Sequence, residues 1–529
     1  MSEKKYIIAY DHGTSGMKTA LVSTEGEVVG FAVEEFPLYH PEQGAAEQDP
    51  NDWWKALVKT THDLLSRELI PKEDIVACVT SNQMDGTIPL SKDGDILHNC
   101  LTWMDTRGAP MVKKLCGGLI EVSGYGVTNL IRWIPKTCGI PGLAGKDIIA
   151  HILWLKEKRP EIYEKTWKFL DCKDFLNYKL TGKIATTYDC AALTWIVNTK
   201  DADNIHYDPK LAKKAKIDVD KLPELKPSSY VLDTIREDVA KELGLDSSIK
   251  VVLGAGDLST AAVGSGAVLE GQAHICVGSS SWIISHTPLR NVDIFNMVAC
   301  LPSAIPGLYI GIGEQEAAGI NLTWLRDNVL YHKDELLVDE NVPDVYKIFD
   351  KMVEDVPPGA NNLIFTPWMF GERSPIEDHT IRGGLYNVSL DTNREHIIRA
   401  IFEGVAFNSK WLLKSIEKLV EVERLDPITL VGGGAISDVW CQIFADILDR
   451  DIIQVHNPKE SNSKGAAFIA SVALGYIEWE DIPNLIQTKQ VFKPQQANRE
   501  IYDRLFEEFK KIYKNNKKMY RRLNEFKEH

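Results

Sequence analysis

Long apolar runs are missing from this sequence. Nothing in it approaches the ~18 consecutive apolar residues of a membrane-spanning helix. The opening Met1-Ser2-Glu3-Lys4-Lys5 leads into Tyr6-Ile7-Ile8-Ala9-Tyr10 with no apolar targeting core and no small-residue cleavage site. A soluble, cytoplasmic protein that does not bind membranes is expected. Cysteine is sparse and unpatterned: nine residues scattered from Cys78 to Cys441, with no C-x-x-C pair. That fits reduced thiols better than a disulfide framework or structural zinc. Positive charge is also in deficit, since 60 Lys+Arg against 75 Asp+Glu leave a net charge of −15. A nucleic-acid partner is therefore not expected.

Several catalytic signatures are absent as well. There is no P-loop G-x-x-x-x-G-K-[ST], and Gly254-Ala255-Gly256 lacks the third glycine of G-x-G-x-x-G because Ser259 stands there. The thirteen histidines form no H-E-x-x-H, and no G-x-S-x-G elbow occurs in its strand-turn-helix context. Walker-type NTPases, dinucleotide dehydrogenases, zinc hydrolases and α/β-hydrolases lose support.

What is present is a chain of 529 residues, 44% hydrophobic and 26% charged. It is long enough for two large domains at ~150 residues or more each. Residues 6–33 read as strand, glycine-rich turn, strand, turn and strand, which is a β-meander. Asp49-Pro50-Asn51-Asp52 forms a capping cluster ahead of Trp53, Trp54, Leu57 and Val58 on one helical face, and a strand at Ile75–Val79 follows. A similar opening begins at Val251-Val252-Leu253, which suggests an internal duplication. The Lys-, Asp- and Pro-rich stretch from Asp201 to Asp246 then sets the expected boundary near Lys250. Arg399–Lys418 has the period of an amphipathic helix, and the basic stretch from Arg499 reads as a helix with a solvated face.

Four turns carry candidate chemistry. Acidic residues in glycine-rich turns after apolar strands suit phosphate transfer, because small residues let backbone N–H groups approach phosphate oxygens. The first is Asp11-His12-Gly13-Thr14-Ser15-Gly16-Met17-Lys18, where Gly13, Thr14 and Ser15 offer donors, Lys18 a positive charge and Asp11 a carboxylate for metal-bound water. The second holds Asp257 after Gly254-Ala255-Gly256, placed to take a hydroxyl proton. The third is Gly278-Ser279-Ser280-Ser281. The fourth is Gly432-Gly433-Gly434-Ala435-Ile436-Ser437. Taken singly, each is equally an ordinary turn, and a lone His12 or His151 is more often structural.

Taken together these turns resemble the FGGY family of carbohydrate kinases, from Tyr6 to about Tyr476. The resemblance also rests on EQDPNDWW at Glu47–Trp54, LTWMDTR at Leu101–Arg107, LNYKLTGKIAT at Leu176–Thr186, FTPWMFGERSP at Phe365–Pro375 and SKGAAFIASVALG at Ser463–Gly475. It implies an α/β, two-domain actin-like and hexokinase-like (ribonuclease H-like) fold with an interdomain cleft. The expected domains are 1–250 with the sugar site and first phosphate turn, 251–480 with the catalytic Asp and adenosine segment, and a helical extension 481–529.

By the same resemblance the reaction is ATP-dependent phosphorylation of a sugar or polyol hydroxyl. Asp257 is the implied general base, and Asp11 and Asp257 the Mg²⁺ side. Gln83, Met84, Asp85, Trp103 and Asp105 are implied to bind the acceptor with Asp257. Gly13, Thr14, Ser15, Lys18, Gly278, Ser279, Gly433, Gly434, Ala435 and Ser437 are implied to bind the nucleotide. The expected partner is a small sugar or polyol, and a homodimer is the assembly expected.

Ser81-Asn82-Gln83-Met84-Asp85-Gly86 lies between two subfamily patterns. Gln83, Met84 and Gly86 are similar to the S-G-Q-M-H-G of xylulose kinases, with Asp85 for His. Asn82 and Gln83 are similar to the S-N-Q-R-E of glycerol kinases, with Met84 for Arg. Asp85 suits a neutral ketose or polyol, xylulose first, with ribulose, glycerol or erythritol as alternatives. Thr187 and His151 stand where the family carries Asp and Lys. An actin-like or chaperone-like ATPase without a sugar acceptor is the contrasting reading, and the SNQMDG, LTWMDTR and FTPWMFGERSP segments weigh against it.

Overall fold

The computed structural model describes residues 4–330 and 344–524. The first apolar run, β1 (Tyr6–His12), is buried along nearly its whole length. Such a strand must have both faces covered. It pairs antiparallel with β2 (Gly16–Ser23), which pairs with β3 (Val28–Glu35), and parallel with β4 (Ile75–Asn82). Outside β4 come β5 (Val231–Thr234) and β6 (Lys250–Gly256), giving the order β5-β6-β4-β1-β2-β3.

Alternate residues of β1 face opposite layers. Ile8 and Tyr10 pack with Trp53, Leu57 and Phe175, from the helices Pro50–Leu65 and Cys172–Thr181. Ile7 and Ala9 pack with Val263 and with Ala466–Ala470, from the helices Asp257–Gly264 and Ser461–Ala473. The Pro50–Leu65 helix starts as its sequence signals: Asp49 accepts a bond from the Asn51 N–H at 2.9 Å and Pro50 occupies the first turn.

The second sheet comprises β7 (Ala273–Val277), β8 (Ser281–Thr287), β9 (Val292–Asp293), β10 (Val298–Pro302), β11 (Tyr309–Gln315), β12 (Ile428–Val431), β13 (Ile452–Val455) and β14 (Thr488–Phe492). Its order is β9-β10-β11-β8-β7-β12-β13-β14. Within it, β11-β8-β7-β12-β13 repeats the strand directions of β3-β2-β1-β4-β6: two antiparallel pairings, then two parallel ones. The duplication is thus a five-stranded kernel used twice, with added edge strands.

Two boundaries differ from expectation. The strand at Lys250 closes the first sheet by pairing with β4, and the second kernel opens at Ala273. Asp257 therefore ends the first half and is no counterpart of Asp11. The Asp201–Asp246 stretch belongs to the first half, because it supplies β5 and the Glu237–Leu243 helix. Residues beyond 480 are not only helical: β14 extends the second sheet.

The Arg499–Asn524 helix buries Tyr502, Leu505, Phe506 and Phe509 in the second core, while Lys510 and Lys511 pair with Glu507 and Glu508 on its outer face. Buried Glu403 accepts bonds from Tyr502 Oη (2.9 Å), Arg399 Nε (2.7 Å) and the Gly359 N–H (2.9 Å). Tyr502→Phe leaves packing intact but removes one donor from a buried carboxylate, so it is expected to lower stability by ~1–3 kcal/mol in urea unfolding. An unchanged midpoint would show the hydroxyl to be idle.

Candidate active site

Lys18 marks where the two halves meet. Its ammonium ion-pairs with Asp11 at 3.2 Å and also feels Asp257 and Cys276, so Asp11 first, with Asp257 adding, holds it above the usual lysine range. Cys276 lies on β7, two residues before Gly278. The turns Gly13–Ser15 and Gly278–Ser280 thus both adjoin the Lys18, Asp11 and Asp257 group. The Gly13 N–H is spent on Gly16 O, whereas Ser15 and Ser279 are exposed. The second turn is fixed from behind by the Ala318 N–H to Ser279 O (2.8 Å) and the Gly319 N–H to Gly278 O (2.8 Å).

Asp257 is the first residue of its helix, where the backbone dipole favours a negative charge, and its Oδ1 accepts the Leu258 N–H at 2.8 Å. Burial and then the neighbouring Asp11 carboxylate outweigh this and push the carboxyl up to about 7. The peptide before it is held by Asp189, whose Oδ2 accepts the Gly256 N–H at 2.9 Å while Oδ1 accepts the Thr187 hydroxyl at 2.5 Å. Thr187, at the place where the resemblance leads one to expect Asp, therefore serves an Asp two residues later. Met84 packs its thioether on Gly256, where a Cβ would lie 2.6 Å from the sulfur.

A closed ring of hydrogen bonds through Thr14, Gln83 and Gln48, with Trp103 donating into it, joins the first turn to the end of β4. Trp103 Nε1 donates to Thr14 Oγ1 (3.0 Å), and Thr14 Oγ1 donates to Gln83 Oε1 (2.8 Å). Gln83 Nε2 donates to Gln48 Oε1 (2.8 Å), and Gln48 Nε2 donates to Thr14 O (2.7 Å). Gln48 comes from the EQDPNDWW segment and no sequence argument singled it out.

Asp105 does not face this space. It is fully buried, and its oxygens accept from the Ala46 and Arg107 N–H groups and the Arg107 guanidinium. Arg107 in turn reaches Glu47 at 2.6 Å and lies 4.0 Å over Trp154. Asp105 is a positioning residue, with no oxygen left for an acceptor.

Asp85 has φ +62°, and its Oδ1 is shielded without a hydrogen-bond partner. Burial, then Asp147 and Asp171, hold its carboxyl well above the usual range. Asp171 caps the Cys172–Thr181 helix, accepts the Gly86 N–H at 3.1 Å and is itself pushed up to about 7 by burial. Arg373, from the FGERSP segment of the second half, feels Asp147 and Asp85 of the first while pairing with Glu316 (3.1 Å) and Glu314. His151 is structural, its Nδ1 lying 3.0 Å from Thr87 Oγ1.

Among the four residues expected to bind nucleotide in the fourth turn, Gly433 is exposed and Gly434 partly so. Ala435 is fully buried, and Ser437 caps the Asp438–Leu448 helix through the Trp440 N–H and donates to Asp350 at 2.6 Å. Those two shape the turn from behind. Gly432, at φ +87°, has no room for a Cβ, which would lie 2.7 Å from Val277 O.

Among the described residues no three His, Cys, Asp or Glu side chains form a metal cage. Mg²⁺ needs fewer protein ligands, since it keeps waters and shares phosphate oxygens. Asp11 and Asp257, two neighbouring carboxylates beside one lysine, fit such an ion.

A duplicated kernel with phosphate-type turns from both halves and a carboxylate at their junction defines a phosphotransferase of the sugar-kinase type. The chain belongs to the FGGY family of carbohydrate kinases: the model of the family's N-terminal domain matches residues 6–264 and that of its C-terminal domain residues 273–474. It is 30% identical to the xylulose kinase of Bacillus subtilis over 99% of both chains, and 27% identical to that organism's gluconokinase over 89% of this chain and 88% of the other. The ligand-bound xylulose kinase structure from Lactobacillus acidophilus superposes with a TM-score of 0.85 at 27% identity, covering 98% of this chain and all of the other. The protein is thus a carbohydrate kinase, with ATP implied as phosphoryl donor. Among the described residues, no helix is long and apolar enough to cross a membrane.

Proposed function

We propose that the protein transfers the terminal phosphoryl group of ATP to a hydroxyl of a small ketose or polyol, xylulose first, with Asp257 as general base. The observation that carries this reading is the placement of Asp257: a carboxyl pushed up to about 7, at the junction of both halves and beside Lys18 and Asp11. A base with affinity near neutral pH takes a hydroxyl proton and releases it again most effectively. The xylulose preference rests on Gln83 and Met84, and on the relatives that bear that name.

The chain's own work is positioning. The Thr14, Gln83 and Gln48 ring, with Trp103 donating into it, ties the first phosphate turn to the acceptor side, so donor and acceptor groups share one rigid frame. Gly13, Thr14, Ser15, Gly278 and Ser279 line the phosphates, and Lys18 offsets their charge. Gly433 and Gly434 leave room for the flat base. Bound Mg²⁺, held on the Asp11 and Asp257 side, supplies charge neutralisation for the phosphates.

A coupled ADP-release screen against xylulose, ribulose, glycerol, erythritol and gluconate tests the reading, and xylulose is expected to give the highest kcat/KM. ATP turnover independent of every sugar would overturn it in favour of an actin-like ATPase. The kcat/KM for the acceptor should also rise with pH through about 7 and level off above, because only ionised Asp257 accepts a proton. A flat profile between pH 5.5 and 8 would contradict the assignment.

A further inference from the structure

Lys146 stands out among the cations of the acceptor side because it has no carboxylate partner among the described residues. Its ammonium lies 5.7 Å from the centroid of the Trp103 ring, within cation–π reach, and feels Glu316, Arg373 and Asp147 without an ion pair to any of them. Arg373, by contrast, is matched by Glu314 and Glu316. Trp103 is the residue whose indole N–H holds Thr14 and, through it, Gln83. Lys146 therefore lies against the indole that ties the first phosphate turn to Gln83 on the acceptor side.

Its backbone is fixed. Gly145 has φ +72° and packs so tightly on Ala109 that a Cβ would lie 2.1 Å from its nitrogen, and Asp147 Oδ2 accepts the Gly142 N–H at 2.5 Å across the same loop. An ammonium held this way offers three donors and no acceptor. Its natural complement is an oxygen with lone pairs and no hydrogen of its own, a ketone or a carboxylate. An alcohol there brings a hydrogen that needs a further acceptor of its own.

We infer that Lys146 is a specificity-determining residue beside the acceptor space, reading an oxygen other than the phosphorylated hydroxyl, and that it selects ketoses and sugar acids over the corresponding alditols. The inference rests on the acceptor space proposed above and deepens it by naming the group that is read. Burial, which lowers the affinity of Lys146 for its proton, adds to the gain from an oxygen acceptor in place of lost water.

The test compares calorimetric dissociation constants for two pairs, xylulose with xylitol and gluconate with glucitol, on the wild-type protein, Lys146→Met and Lys146→Arg. The pairs separate ketone from carboxylate recognition. Wild type is expected to bind the carbonyl- or carboxylate-bearing member of at least one pair about tenfold or more tightly, which is the usual worth of a bond to a charged donor. Lys146→Met should erase that ratio and Lys146→Arg should retain most of it, with both variants melting close to wild type. A wild type indifferent within both pairs, or a Lys146→Met protein that keeps the preference, would overturn the inference. Binding does not require turnover, so failure here is distinct from failure of the Asp257 assignment, which is read from catalysis alone.

Discussion

Asp257→Asn is expected to lose about 10²–10⁴-fold in kcat with every acceptor while keeping the fold, because the proposed base would contribute about that factor and the amide cannot accept the proton. The same substitution raises the melting temperature at pH 8. The carboxyl sits at about 7 in the folded protein against 3.8 as an ordinary Asp, so the folded chain holds the proton more tightly than the unfolded one. Folding then carries no penalty from this group below about pH 4, a growing one as pH rises, and the full one above about pH 7. Asparagine removes the penalty, so the gain should be present at pH 8 and vanish near pH 4. Turnover and melting measured on one preparation check both halves, and near-normal turnover, or equal melting shifts at the two pH values, would refute the role.

Gly465→Val is expected to be the most damaging substitution for the fold. The helices Asp257–Gly264 and Ser461–Ala473 cross with backbone against backbone: a Cβ at Gly465 would lie 1.9 Å from Thr260 O, and one at Gly264 would lie 1.8 Å from Ser461 O. Neither obstacle is a side chain that can swing away. Separating the helices would strip Ala466–Ala470 from the underside of the first sheet, since the same helix covers Ile7 and Ala9. A loss above ~4 kcal/mol, or insoluble protein, is expected. A melting point within a degree or two of wild type would mean that the crossing has slack.

How much of this was readable beforehand depended on the range of the interactions. The turns at Asp11–Lys18, Asp257 and Gly278–Ser280 were legible because local chemistry defines them: an apolar strand, small residues and a charge. The Asp49 cap and the helix over Arg399–Lys418, seen at Arg394–Leu419, were legible for the same reason. The sheet to which Val251–Leu253 belongs was not, because strand partnership is settled by residues far away in sequence. Asp105, Ala435 and Ser437 face away from the ligand side that their motifs suggest, because a motif shows which residues are special and not which way they face. Asp189 and Lys146 carry no local signal, and Gln48 only that of the segment around it; each acquires its part when another segment arrives beside it.

The nine cysteines are all free and all buried. A thiol reagent therefore meets no native target on the surface, and a single cysteine introduced on the outer face of each half would accept a dye pair without background. The distance between the halves would then be readable in real time by energy transfer, in a protein that needs no prior stripping of its own sulfur.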